Sequence, residues 1–177
     1  GAVSLRKAWL WLGMLSLIGL VVLVQLRPAA ALVALASLAL VAAYPFMKRI
    51  TWWPQAWLGL VFSWAALVGW VEMDTGLLAP MLLLYAGCIF WVIGYDTIYA
   101  LQDVEDDALV GVRSSARAMG RFVRPGVALC YLLALGLWAG AIWAMRPDPL
   151  ALLALAPMGC HLGWQVLTLD PRDGANP

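Results

Sequence analysis

The sequence predicts an all-α, polytopic transmembrane helical bundle. Three observations carry that prediction. Of the 177 residues, 64% are hydrophobic and only 12% are charged, and the apolar residues fall in long continuous runs. A soluble domain carries roughly 25% charged and ~45–50% apolar residues, so this chain has too little polar surface to keep a globule in water. Mean hydropathy is +0.88. In lipid each spanning segment must satisfy its own backbone, which favours helices. The runs are rich in Leu and Ala and lack a period of two, which argues against strands. A net charge of +1 gives no electrostatic case for a nucleic-acid partner.

A spanning helix needs about 20 mostly apolar residues, and six candidates follow in order along the chain as a single domain. Residues 8–26 end at Arg27-Pro28. Residues 29–47 end at Lys48-Arg49, and residues 54–71 at Glu72 and Asp74. Residues 77–99 carry Asp96 close to their end. Residues 122–145 and 149–169 complete the set. Prolines 28, 54, 80, 125 and 149 lie at or near the predicted starts, where a missing N–H costs nothing.

Alternating these spans places Arg6, Lys7, Lys48, Arg49, Arg113, Arg117, Arg121, Arg124 and Arg172 on one side. Only Arg27 and Arg146 fall on the other. Excess Lys and Arg marks the cytoplasmic side, so both ends are expected there. Trp9, Trp11, Trp52, Trp53 and Trp70 near span ends read as an interfacial belt. Cys88, Cys130 and Cys160 stand singly in apolar runs and read as packing residues, as does the single histidine, His161. The start at Gly1 and the polar tail from Asp170 to Pro177 read as cuts within a longer protein.

Most connections are short; residues 96–121 form a long, charged, cytoplasmic loop. Asp96, Asp103 and Asp107 are spaced seven and four apart, which on a helix puts them in one narrow stripe, with Asp106 at its edge. Such carboxylates repel one another unless cations lie between them. A few hard oxygen ligands suit Mg²⁺, which also takes waters and substrate phosphates. Asp96 is set into the end of an apolar run, where an ionisable group is costly and marks function. The bland alternative is that these acids solvate a loop. Gly111 followed by Arg113, Ser114 and Ser115 could bind a phosphate or cap the next helix. Arg113, Arg117, Arg121 and Arg124 share a face if helical, and anionic lipid would also explain them. Lys48 and Arg49 close the second span on the same side, by topology or as partners for a diphosphate.

Two stretches resemble the UbiA family of intramembrane prenyltransferases. Tyr95-Asp96-Thr97-x-Tyr99-Ala100-x-x-Asp103-x-x-Asp106-Asp107-x-x-x-Gly111-x-x-Ser114 is similar to the family's second aspartate-rich motif. Tyr44-Pro45-Phe46-Met47-Lys48-Arg49-x-Thr51-x-x-Pro54-Gln55-x-x-Leu58-Gly59 is similar to the segment before its fifth helix, in the branch acting on 4-hydroxybenzoate for ubiquinone biosynthesis. Gly1 to Ser4 resembles the stretch after the family's first acidic loop. The resemblance implies nine spans, of which six are present here. It also implies two facing aspartate motifs holding Mg²⁺, and prenyl transfer from a polyprenyl diphosphate to the 4-hydroxybenzoate ring. The membrane would be the bacterial or mitochondrial inner membrane. Asp103 and Asp107 would face the metal. Asp96 would be a third active-site acid, as metal ligand or orienting group. Lys48 would contact the diphosphate, with Arg49 beside it. Tyr44, Tyr99 and Arg113 would line or close the site. The family's first motif, Asn-Asp-x-x-Asp-x-x-x-Asp, is absent from these 177 residues, so the chain alone is expected to be inactive.

Two other readings stand beside this one. A relative with another acceptor would share the same motifs. A non-enzymatic transporter would show polar residues at mid-span, whereas here the acids collect at one interface. The sequence specifies no oligomeric state.

Overall fold

The computed structural model describes residues 3–171 and contains six helical segments long and apolar enough to cross a membrane. Gly1, Ala2 and residues 172–177, which include Arg172 and most of the polar tail, lie outside the described residues. The long helices are α1 (Leu5–Leu23), α2 (Pro28–Ile50), α3 (Pro54–Met73) and α4 (Leu78–Tyr99). Two short helices follow, α5 (Val104–Val110) and α6 (Ser115–Met119). A 3₁₀ turn at Gly120–Phe122 leads into α7 (Val123–Met145). The last segment is α8 (Pro149–Leu152), a 3₁₀ turn at Leu153–Leu155, and α9 (Ala156–Thr168). Pro28, Pro54 and Pro149 each open a helix, as their missing donor allows.

Lipid tails are as apolar as leucine, so close approach and polar ties hold such helices together. The most extensive contact is α4 against α7, followed by α3–α4 and α2–α3. Two glycines on α4 allow the first of these. A Cβ at Gly87 would lie 2.5 Å from the Trp138 ring, and one at Gly94 would lie 2.3 Å from Tyr131 Cε1. Side-chain donors stitch the remaining pairs. Trp57 Nε1 donates to Leu40 O at 2.9 Å, Trp64 Nε1 to Val33 O at 2.8 Å, and the Tyr85 hydroxyl to Leu60 O at 3.0 Å. Tyr131 donates to Gln165 Oε1 at 2.8 Å and joins α7 to α9. A core of Ile98, Val123, Val127, Tyr131, Leu162 and Leu169 sits where α4, α7 and α9 meet. Helix α1 buries no residue.

Sequence and structure differ in three places. The stripe of Asp96, Asp103 and Asp107 is not on one helix, because α4 stops at Tyr99 and residues 100–103 turn before α5 begins. The break separates carboxylates that a continuous helix would stack. It also puts Glu105, Asp106 and Asp107 in the first turn of α5, where the helix dipole favours negative charge. The four arginines from 113 to 124 do not share a face either, since α6 ends at Gly120 with φ +50°; Arg113 and Arg117 turn to the Trp52 ring, Arg121 to Phe122 and Arg124 to Leu167 O. Cys160 and His161 are exposed rather than packed in a core; His161 lies beside the Trp164 ring at 5.7 Å.

Candidate active site

The ends of α2 and α4, the start of α3 and the turn into α5 converge on one polar pocket of about 140 Å³. Tyr44 and Lys48 come from α2, Pro54 and Gln55 from α3, and Asp96 and Tyr99 from α4. Gln102, Asp103 and Asp107 come from the turn and α5. Although the helix is broken, the three spaced aspartates therefore open on the same space. Asp96 and Asp107 are half-buried, while Asp103 and Lys48 are exposed at the mouth. No ion pair closes across the pocket among the described residues, so its acids and its lysine remain available to a ligand.

Local chemistry holds this arrangement. Gly111 ends α5 in the left-handed conformation, φ 75°, which glycine adopts without a Cβ penalty. The Val112 amide then donates back to Asp107 O at 2.8 Å. Arg117 Nη1 donates to Asp107 O and to Val112 O and closes the same loop. Ser114 caps α6, accepting from the Arg117 amide.

Arg113 and Arg49 do not line the pocket. The Arg113 amide donates to Lys48 O at 3.1 Å and its Nη1 to Ile50 O at 2.8 Å, so this arginine caps the last turn of α2. Its guanidinium and that of Arg117 both lie about 5.5 and 5.4 Å from the Trp52 ring, a cation–π arrangement. Trp52 is thus a clamp for the α5–α6 loop as well as an interfacial residue. Arg49 stands exposed on α2 beside the pocket. Arg124 instead donates to Leu167 O on the final helix.

The sequence reading gave no role to a buried polar bolt behind the pocket. Thr97 Oγ1 lies 2.6 Å from both Ile93 O and Ser115 Oγ, and the Ser115 amide donates to Gln55 Oε1 at 2.9 Å. The bolt fixes α3, α4 and α6 relative to one another. The family-like stretches contain Thr97 and Gln55, and Ser115 is a capping candidate, but no local signal pairs them, because their partners are 18 and 60 positions apart.

An aromatic row runs from the pocket into the membrane. Tyr99, Tyr95 and Trp91 follow one another at 6.3 and 5.1 Å, and Trp138 lies 6.3 Å from Trp91. Trp138 borders an apolar cavity of about 510 Å³ that Trp70, Leu84, Cys88 and Met158 also line.

Hard oxygen donors dominate the polar pocket. No three His, Cys, Asp or Glu side chains among the described residues stand close enough to enclose a metal ion by themselves. The donor set nonetheless fits Mg²⁺ shared with a substrate, since that ion is held by one or two carboxylates and completes its shell with waters and phosphates.

Comparison with known proteins identifies the family. All of residues 1–177 match the UbiA prenyltransferase family. A mitochondrial 4-hydroxybenzoate polyprenyltransferase of Arabidopsis thaliana is 41% identical over 94% of this chain and 41% of its own length. That of Caenorhabditis elegans is 38% identical over 89% of the chain and 44% of its own length. For Bos taurus the identity is 39%, over 96% and 46%. The chain therefore spans less than half the length of these curated relatives. No solved structure gives a significant match. With a whole-chain match behind the helical bundle and the aspartate-lined pocket, the chain belongs to the UbiA prenyltransferase family.

Proposed function

We propose that this chain forms part of a Mg²⁺-dependent enzyme transferring a polyprenyl group from polyprenyl diphosphate to the ring of 4-hydroxybenzoate. The observation that carries the reading is the convergence of Asp96, Asp103 and Asp107 with Lys48 on one polar pocket at a membrane-helix end. The names of the relatives support both substrates. Asp103 and Asp107 would hold the metal from this side, with Asp96 as a third acid. The family's first aspartate motif, absent from these 177 residues, would supply the opposite wall. When bound, Mg²⁺ neutralises the leaving diphosphate as a Lewis acid.

This chain's own residues would do the rest. Lys48 offers a cation to the diphosphate. The allylic C–O bond breaks and its electron pair leaves with the diphosphate. The ring carbon ortho to the phenol hydroxyl then forms the new C–C bond, and the proton on that carbon departs. Charge building on the allylic carbon meets the faces of Tyr99, Tyr95 and Trp91, each worth ~0.5–2 kcal/mol as a cation–π partner. The apolar span behind them excludes water, which would otherwise capture the cation. The excess of Lys and Arg around the pocket, with Lys48, Arg113 and Arg117, supports a cytoplasmic active-site loop in a bacterial inner membrane, or a setting in the mitochondrial inner membrane.

The test uses the full-length protein in membranes, with Mg²⁺ and a polyprenyl diphosphate. 4-Hydroxybenzoate competes there with naphthoate and homogentisate acceptors, and products are read by mass spectrometry. Prenylated 4-hydroxybenzoate as the main product supports the reading. Prenylation of another acceptor alone reassigns the substrate, and no prenylated product from any acceptor overturns the enzymatic reading.

A further inference from the structure

Gln55 occupies the second position of α3, is 3% exposed, and lines the polar pocket with Lys48 and Asp96. Its Oε1 accepts from the Ser115 amide at 2.9 Å. A backbone amide can only donate, so this bond fixes the orientation of the carboxamide, with the oxygen toward α6 and the Nε2 group turned away. Ser115 cannot move aside to permit a flip. It is fully buried, and its Oγ is held 2.6 Å from Thr97 Oγ1, which is itself 2.6 Å from Ile93 O. Among the described residues nothing accepts a proton from Gln55 Nε2. An amide held with its acceptor spent and its donors unspent beside a lysine is built to receive oxygen from an anion.

We propose that Gln55 is a substrate-binding residue whose Nε2 group donates to an anionic oxygen of the substrate, either a phosphate oxygen of the prenyl diphosphate or the carboxylate of the aromatic acceptor. The inference rests on the prenyl-transfer reading above. It divides the pocket by chemistry. Asp96, Asp103 and Asp107 reach the anion only through a cation, whereas Lys48 and Gln55 reach it directly. Lys48 is an exposed, flexible point charge, and Gln55 is a buried donor with a fixed direction. The amide therefore sets the position of the bound oxygen while the lysine supplies attraction.

The competing role is structural, with Gln55 only anchoring α6 through Ser115, and two variants separate the alternatives. Gln55→Glu keeps an oxygen toward the Ser115 amide and removes both donors. Gln55→Met removes the donors without adding charge and gives up the Ser115 bond. Both are made in the full-length protein in membranes, and initial rates are measured against each substrate in turn. A hydrogen bond to a charged group predicts that both variants raise KM for the same substrate by about 10- to 100-fold. Gln55→Glu should retain the thermal midpoint of the unsubstituted protein within a few degrees. A rise confined to the aromatic acceptor assigns the carboxylate, and one confined to the diphosphate assigns phosphate. Unchanged KM values for both substrates in an active Gln55→Glu enzyme overturn the inference and leave the prenyl-transfer reading standing. Absence of product from the unsubstituted protein with every acceptor overturns that reading, and the inference with it.

Discussion

Replacing Gly94 by alanine would put a Cβ 2.3 Å from Tyr131 Cε1, 2.7 Å from Cδ1 and 3.2 Å from Cζ. Carbon atoms rest comfortably at ≈ 3.5–4.0 Å, so α4 and α7 must part by more than about 1 Å or the ring must turn. The ring has no room to turn: Tyr131 is 2% exposed and its hydroxyl is held by Gln165 at 2.8 Å. Overpacking of this kind costs ~1–3 kcal/mol. Alanine also gains ~1 kcal/mol over glycine in a helix interior, which partly masks the loss. A control removes that ambiguity. Gly69 lies in α3 with nothing within 4 Å of an added Cβ, so Gly69→Ala carries the propensity gain alone. The difference between the two variants is then the packing cost, about 1–3 kcal/mol. Thermal unfolding of the purified protein in detergent, followed by tryptophan fluorescence, measures it. Gly94→Ala should melt clearly below Gly69→Ala, and Tyr131→Leu in the same chain should recover part of the loss. Equal midpoints for the two glycine variants would refute the close approach of α4 to α7.

Three further outcomes follow from the site. Thr97→Val leaves the buried Ser115 hydroxyl without its 2.6 Å partner and should destabilise by about 1–3 kcal/mol, read as a lowered denaturation midpoint. Arg113→Ala removes the donor to Ile50 O and the guanidinium over Trp52. Limited proteolysis within residues 104–114 should accelerate, and Arg113→Lys should not restore protection, because lysine lacks the planar fork. Lys48→Ala should raise KM for the prenyl diphosphate about 10- to 100-fold with a smaller effect on the aromatic acceptor, measured by initial rates in membranes.

The spans were legible because hydropathy and the proline starts are local signals, and Pro28, Pro54 and Pro149 fall on observed first residues. The acids were legible as a group because their spacing is local too. The path that brings them together was not. Ala100, Leu101 and Gln102 contain no glycine or proline, and nothing in them announces that α4 stops at Tyr99. The break is favoured by charge, which spreads the carboxylates and seats three of them on the α5 start. The resemblance implies Arg113 at the site, yet its guanidinium acceptor, Ile50 O, is 63 residues away in sequence, outside the pocket. Ser115 stands out in the sequence only as a phosphate or capping candidate, and Gln55 and Thr97 only as positions of the two family-like stretches; their mutual pairing is tertiary. Among the tryptophans, one of the interfacial set does more than anchor, and two to which the sequence assigns no role act between helices. Trp52 clamps two arginines, while Trp57 and Trp64, deeper in α3, donate across to α2.

The central claim is that the aspartates of this pocket hold the metal that prenyl transfer requires. The most direct measurement is product formation by the full-length protein in membranes, comparing the unsubstituted form with Asp103→Ala, each titrated with Mg²⁺ after chelation by EDTA. The account predicts Mg²⁺-restored prenylation of 4-hydroxybenzoate in the unsubstituted form, and turnover reduced at least about 100-fold in Asp103→Ala at every Mg²⁺ concentration, in line with the several kcal/mol a Lewis-acid metal supplies. Turnover by Asp103→Ala equal to that of the unsubstituted protein, with the same Mg²⁺ dependence, would contradict it.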